Sequence, residues 1–446
     1  MSRLSNVVSA LQTTFGPAAE RANEQAQAVK RRRKLTPVTL AQSFIMALLA
    51  KPKADSEDVA KMAASLGIEI SPQAIEQRYS TKLMEFFKAL FEEMLSTVVK
   101  SEQALAPVLA RFTEVKLIDS SVIALPNSIA EQYPGCGGSR GYTSAALKLQ
   151  TELDLRSGQV QNIQIEPGKL PDQGTDRQHL KPVKGSLRIT DLGYFNLSVF
   201  AMIAAAQAYY LSRTQYTVSV KINGSRYGLI AWLTQQGNET VDQWIEVGTQ
   251  NVLKCRLIAW RVPPDIAKRR RQKMRQSMKD RGRQPTEAAL ASCDWEYLIT
   301  NLDTEQLSFK EAIVLYRSRW QIELLFKRWK THCQIDLLDG RTDEITMTRL
   351  WIRLCGAIVQ HWIIVGIAWV SSQKISFDKL AKLIGESTRE LGHTIGDTVA
   401  LIKVLEIIAR QAAVGCRRTK SKHRPSTTDL LNDADLLEYS LPFGLT

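Results

Sequence analysis

From Tyr316 to Lys330 the chain reads Tyr-Arg-Ser-Arg-Trp-Gln-Ile-Glu-Leu-Leu-Phe-Lys-Arg-Trp-Lys. On a helix turning ~100° per residue, Tyr316, Arg319, Glu323 and Lys330 share one arc, and Leu315, Ile322, Leu325 and Trp329 fill the adjoining, core-facing side. A lone carboxylate among cations has two readings. It is either half of an i,i+4 ion pair with Arg319 on a solvated face, or a metal ligand whose cationic neighbours hold phosphates. The second reading needs more carboxylates. Asp119 lies inside an apolar strand, in Leu-Ile-Asp-Ser-Ser, and Asp191 ends another strand just before Gly193. An acid there is costly unless it is paired, bound to a metal, or satisfied as a turn cap.

The elements that must position these residues follow from periodicity. Residues 36 to 110 repeat with a helical period, with Ser56 and Ser71 as N-cap candidates and Gly67 closing the middle helix. Near residue 114 the period becomes that of strands. EVKLIDSSVIAL, AALKLQTELDL and VQNIQIEP read as three, the last two joined by the turn Arg156-Ser157-Gly158-Gln159. SLRITDLGYF is a fourth, residues 196 to 212 a helix, and YTVSVKIN a fifth strand. GLIAWLTQ, VDQWIEVG, LKCRLIAWRVPP and WEYLITNL extend a β-rich stretch, with a basic arm or exposed helix before the last of them. Beyond Ser308 the pattern is helical to about residue 410, and the polar tail after Cys416 reads as mobile.

With these motifs in place, the chain resembles the DDE transposases of bacterial insertion sequences, of the "IS-four" type marked by Tyr-x2-Arg-x3-Glu-x6-Lys. Tyr316, Arg319, Glu323 and Lys330 match that spacing, Asp191-Leu-Gly-Tyr194 resembles the second-aspartate element, and Asp119 resembles the first. Ser120-Ser121 stands where many relatives carry Gly-Thr, which leaves Asp154 on the next strand as the substitute first carboxylate. The resemblance implies an α/β, ribonuclease-H-like (retroviral-integrase-like) core with a β-rich insertion before the last acidic helix. The implied division is a helical DNA-binding region at 1–110, the core at 111–224 and 301–340, the insertion at 225–300, and a helical region at 341–446 that supplies dimer contacts.

The implied chemistry is metal-dependent cleavage at the element's ends followed by strand transfer into target DNA. Asp119, Asp191 and Glu323 would hold two Mg²⁺ (or Mn²⁺) ions, with no nucleotide cofactor. Tyr316, Arg319, Lys330 and Arg213 would contact phosphates, Trp295 would stack an extruded base, and Lys268, Arg269, Arg270 and Arg271 of the basic stretch would bind DNA backbone. The partners implied are terminal and target DNA and a second copy of the chain in a synaptic homodimer.

Composition agrees with a polyanion partner. The 446 residues carry a net +14, focused in runs at 30–34 (+5), 268–283 (+8) and 416–424 (+5), against −4 for everything else. Six scattered cysteines without metal spacing point to a reducing compartment, and the start lacks a signal pattern. A bacterial cytoplasmic, nucleoid-associated protein is expected. The apolar stretch 354–370 holds Gln360 and His361 at its middle and reads as a buried helix, so no membrane is expected. Gly135 to Gly141 lacks the Lys-Ser/Thr of a phosphate loop and reads as a turn. Three other readings compete: a nuclease or resolvase of the same fold that cuts without joining, a non-catalytic DNA-binding protein derived from a transposase, and a polyanion-binding structural protein, which would leave the Tyr, Arg, Glu and Lys spacing without a reason.

Overall fold

A computed structural model describes residues 4–31, 34–97, 99, 106–137, 144–249, 252–337, 340–369, 374–418 and 425–437. Arg32, Arg33, most of the 135–141 turn and residues 419–424 of the last basic run lie outside them.

Helices open the chain: α1 (Ser5–Thr13), α2 (Ala19–Ala26), α3 (Pro37–Ala50), α4 (Ser56–Ser65), α5 (Pro72–Glu76) and α6 (Thr81–Leu95). The Thr36 hydroxyl caps α3 ahead of Pro37, and Ser71 caps α5 as expected. Asp55, not Ser56, caps α4 by accepting the Asp58 amide at 3.0 Å, and Gly67 just beyond its end takes φ +80°, a conformation that favours glycine.

After α7 (Pro107–Ala110) come strands β1 (Val115–Leu125), β2 (Ala145–Asp154), β3 (Val160–Pro167) and β4 (Leu187–Thr190). There follow α8 (Leu197–Ala205), β5 (Tyr209–Arg213), β6 (Ser219–Ile222), β7 (Ser225–Gly228), α9 (Leu229–Gln235), β8 (Thr240–Val247), β9 (Leu253–Arg261), α10 (Pro264–Asp280), α11 (Glu287–Ser292) and β10 (Trp295–Thr300). The C-terminal part is α12 (Phe309–Ser318), α13 (Trp320–His332), α14 (Asp343–Ala368), α15 (Phe377–Glu386), α16 (Thr388–Thr394), α17 (Thr398–Gly415) and α18 (Thr427–Asn432).

Four expectations change. The helix expected over 196–212 stops at Ala205, where Gln207 takes φ +56° and frees the β-prone Tyr209–Arg213 to become the fifth core strand. GLIAWLTQ is a helix, α9, rather than a strand. The arc from Tyr316 to Lys330 is two helices meeting at Arg319, whose amide bonds the Tyr316 carbonyl at 3.1 Å. Within the tail expected to be mobile, the described residues Thr427–Asn432 form α18, which buries Leu430 and Leu431 against α12 and α7.

Two compact units result, one of residues 1–105, 120–169 and 322–420, the other of residues 106–119, 170–321 and 421–446. Residues 1–105 and 322–420 thus fall in one unit, while residues 106–110 and 421–446 fall in the other. The physical reason is α14, which is apolar on every side and needs cover all round. In that first unit α3 and α6 pack on α14, and 89% of its apolar window is buried. Length and composition would let α14 cross a membrane; its burial among these helices explains the same hydropathy. Arg353 donates to the carbonyls of Leu337 (2.7 Å) and Pro52 (2.8 Å), and His361 Nε2 meets the Gly158 carbonyl at 2.7 Å. The strands of this unit run β3-β2-β1, with β2 and β3 antiparallel across the turn at Gly158, φ +75°.

In the second unit the order is β1-β4-β5-β10-β9-β8-β6-β7. The first three strands are parallel and the rest antiparallel, so the insertion extends the core sheet through β10. A hairpin beside the opening strand, followed by parallel strands, is the ribonuclease-H-like arrangement. A core of Phe200, Ile203, Tyr210, Leu233, Leu257 and Trp295 among others covers one face of these strands, at about 1.5–3 kcal/mol per large side chain removed from water.

Burial pushes the His361 imidazole down to about 3, outweighing its bond to Gly158. The unfolded imidazole takes up a proton that the folded one refuses, so stability is lost as pH falls from 6.5 toward that value, by up to about 1.4 kcal/mol per pH unit. His361→Gln should flatten the slope, as measured by denaturant unfolding at about pH 7 and about pH 5; equal slopes in both proteins would contradict it.

Candidate active site

Strand register brings the predicted carboxylates together. Leu117 on β1 pairs with Ile189 on β4, so two residues further along each strand Asp119 stands level with Asp191. Thr190 pairs with Ser212 on β5, so Asp191 stands level with Arg213. Residues level on neighbouring strands share a face, which makes Asp119, Asp191 and Arg213 one row across the carboxyl ends of three parallel strands. Asp119 interrupts an apolar strand because it sits where the pairing with β4 ends. Asp191 follows the last residue of β4 and caps the short 3₁₀ turn Leu192–Tyr194 by accepting the Gly193 amide at 2.9 Å.

Charges surround the row. Arg319 is 8% exposed and donates Nη1 to Asp119 Oδ2 at 3.0 Å. Burial pushes the Asp191 carboxyl up, beyond what Arg319, the Gly193 amide and Arg213 pull back; Asp172 adds to the upward push. Asp172 is the functional candidate that sequence reasoning missed, in a loop with no motif of its own. A β-carbon on Gly193 would meet Asp191 Oδ1 at 3.1 Å and Asp172 Oδ2 at 3.2 Å, which explains a glycine where φ does not require one. Burial pushes the Arg213 guanidinium down, but Glu296, Tyr316, Tyr297 and Asp191 outweigh it and hold it above its ordinary value.

The other predicted residues separate. Tyr316 is 2% exposed, and burial holds its phenol well above the ordinary value against the pull of Arg213 and Arg319. Trp295 is equally buried with the Arg261 guanidinium over its ring at 4.6 Å, so its face is covered and no base reaches it in this conformation. Asp154, the substitute first carboxylate, caps the β2–β3 turn by accepting the Ser157 amide at 3.2 Å, which is a structural role. In the first unit, Glu323 is half-buried in the first turn of α13, and Lys330 Nζ reaches the Val122 carbonyl at 3.4 Å.

The basic stretch is helix α10, and its two faces differ. Ile266, Ala267, Met274 and Met278 lie on the docked side together with Arg270, which pairs with Glu296, and Arg271, which pairs with Asp294. Lys268, Arg269, Lys273, Arg275 and Lys279 are exposed on the other, with Arg269 held by Asp265 at 2.5 Å. In the first unit Lys30, Arg31, Arg78 and Lys82 are the charged residues lining an open groove beside α2, α5 and α6.

Two level carboxylates offer the hard oxygens that Mg²⁺ prefers, and Mg²⁺ commonly takes only one or two protein carboxylates beside waters and substrate phosphates. The pair fits such an ion. Among the described residues no three His, Cys, Asp or Glu side chains are grouped to hold one. All six cysteines are free, and five are buried.

The sheet order and parallel register define a ribonuclease-H-like protein. Residues 110–359 match the family model described as the transposase DDE domain, and the chain belongs to that family. It is 28% identical over 393 residues to the transposase of insertion sequence element IS231B from Bacillus thuringiensis subsp. berliner, covering 82% of this chain and 78% of that one. The IS231F transposase of Bacillus thuringiensis subsp. israelensis is 28% identical over 333 residues, 69% of each chain. The IS1151 transposase of Clostridium perfringens is 24% identical over 337 residues, again 69% of each.

An acid raised by burial is stabilising while protonated, and that contribution is lost as pH rises through its folded value. Asp191→Asn should therefore melt higher than the parent at neutral pH, with the excess shrinking toward acid. A lower melting temperature at neutral pH would refute the buried, raised carboxyl.

Proposed function

We propose that this protein is the transposase of an insertion sequence, cleaving DNA at the element's ends and joining the freed 3′ ends to target DNA. The observation that carries this reading is the level row of Asp119, Asp191 and Arg213 in a chain of the DDE family. Asp119 and Asp191 are the proposed ligands of Mg²⁺ or Mn²⁺, with Glu323 as the third carboxylate by its place in the Tyr-x2-Arg-x3-Glu-x6-Lys spacing. A bound divalent ion would polarise the phosphodiester and lower the pKa of an attacking water or 3′-hydroxyl.

The chain's own side chains supply the rest. Arg213 and Arg319 place guanidinium groups beside the carboxylate row, where each neutralises charge on a phosphate drawn toward it. Tyr316 is buried within electrostatic reach of both guanidinium groups. Lys330 and the exposed face of α10 (Lys268, Arg269, Lys273, Arg275 and Lys279) are the proposed backbone contacts; Arg270 and Arg271 dock that helix. The groove of Lys30, Arg31, Arg78 and Lys82 suits the backbone of duplex DNA. Trp295 is assigned to packing.

A synaptic homodimer remains part of the reading. Val399, Ile407 and Val414 on α17 are exposed apolar side chains that suit a second copy, whereas α14 is already covered. No nucleotide is needed, because each bond formed replaces one broken. The proposed setting is the bacterial cytoplasm, at the nucleoid.

In Mg²⁺ or Mn²⁺, wild type should nick and join DNA carrying the element's ends. Glu323→Gln should bind the same DNA with activity down about 10²–10³-fold or more; equal activity in the two proteins would sink the assignment. Replacing Lys268 and Lys273 by Ala should flatten the salt dependence of DNA binding by about one unit of slope for each phosphate no longer neutralised. An unchanged slope would mean that α10 does not touch DNA.

A further inference from the structure

Glu296 carries none of the roles assigned above, yet it joins two of the proposed DNA-handling elements. It is the second residue of β10 and only 2% exposed, between the buried Trp295 and Tyr297. Leu298 pairs with Arg213 on β5, and Glu296, two residues earlier, lies on the same face of the sheet. Its Oε2 is 3.3 Å from Arg213 Nη2, and its Oε1 accepts from Arg270 Nη2 on α10. A carboxylate buried this far is costly without cationic partners, and here it has one on each oxygen.

The arrangement decides where Arg213 points. Glu296, in contact with that guanidinium, and Asp191, at longer range, both attract it. With Glu296 in place, Arg213 is held toward β10. Without it, Asp191 would be left to attract the guanidinium, which would then cover an oxygen proposed to face the metal ion.

We propose that Glu296 is a positioning residue for DNA cleavage: its buried carboxylate holds Arg213 beside Asp191 without letting it pair there, and anchors the basic helix α10 through Arg270. This rests on the transposase reading above. Its signature is suppression. Removing the charge of Glu296 should hurt because Arg213 is present, and removing Arg213 as well should relieve the harm.

The test is Mn²⁺ binding to the full-length chain by calorimetry, with single-turnover cleavage of end DNA measured alongside. Glu296→Gln should weaken Mn²⁺ binding about tenfold, and Arg213→Gln in the same chain should restore it to within about threefold of wild type. Cleavage by Glu296→Gln should need correspondingly more Mn²⁺. Glu296→Asp, which keeps the charge but withdraws it by one methylene, should show a smaller loss with the same suppression, and replaces Glu296→Gln if that variant does not fold. Unchanged Mn²⁺ binding, or a loss that Arg213→Gln fails to relieve, would overturn the positioning role. Wild type that binds Mn²⁺ in the predicted pattern but cleaves no end DNA would overturn the transposase reading, and with it the role in cleavage.

Discussion

Two carboxylates and a guanidinium held level at the ends of three adjacent parallel strands are the constraint on which the site depends. The pairings Leu117 with Ile189 and Thr190 with Ser212 fix Asp119, Asp191 and Arg213 in one row. A slip of one residue in either pairing would turn one member to the opposite face of the sheet. Like charges side by side and partly buried repel one another, so the row requires cations nearby. Arg319 on Asp119 answers that requirement, as does Arg213 at the row's end. Gly193 belongs to the same account, because any side chain there would press on the oxygens of Asp191 and Asp172.

The row is held in place by the sheet that continues beyond it. β10 runs antiparallel to β5 and brings Glu296 to the same face as Arg213, while Phe200 of α8 stacks on Tyr210 with ring centroids 4.6 Å apart. The insertion is thus a brace for β5 as well as a carrier of positive charge. Its helix α10 is docked by two arginines and leaves the neighbouring cations exposed, so one basic run does both jobs on opposite faces.

Much of this was legible from residue types. Strands β1, β2 and β3 fell within a few residues of their expected places because their period is two and their turns carry Gly or Pro. The apolar stretch around His361 was readable as a buried helix because a polar pair interrupts it. What failed has physical reasons. Tyr209–Arg213 follows an alanine-rich helix without a proline or glycine between them, and the stop comes from Gln207 adopting a left-handed conformation that its residue type does not announce. Leu229–Gln235 invited a strand reading through its Ile, Trp and Thr, but its Leu, Ala and Gln favour a helix and its buried Leu229, Ile230, Trp232 and Leu233 fall at helical spacing. The level row itself could not be read, since register between distant strands is a tertiary fact. Spacing marked Tyr316, and the family resemblance Trp295, but neither could say that both are buried. Asp172 and Glu296 belong to no motif, and only their neighbours in space reveal them.

The most direct test of the central claim, that the row's carboxylates are metal ligands for DNA cleavage, is a ligand-softness exchange at Asp119. Asp119→Cys replaces a hard oxygen by a thiolate, which tolerates Mn²⁺ far better than Mg²⁺. The variant should be inactive on end DNA in Mg²⁺ and regain measurable cleavage in Mn²⁺, while wild type works in both. Full activity of the variant in Mg²⁺, or the same deep loss in both metals with DNA binding and folding intact, would contradict direct ligation by Asp119.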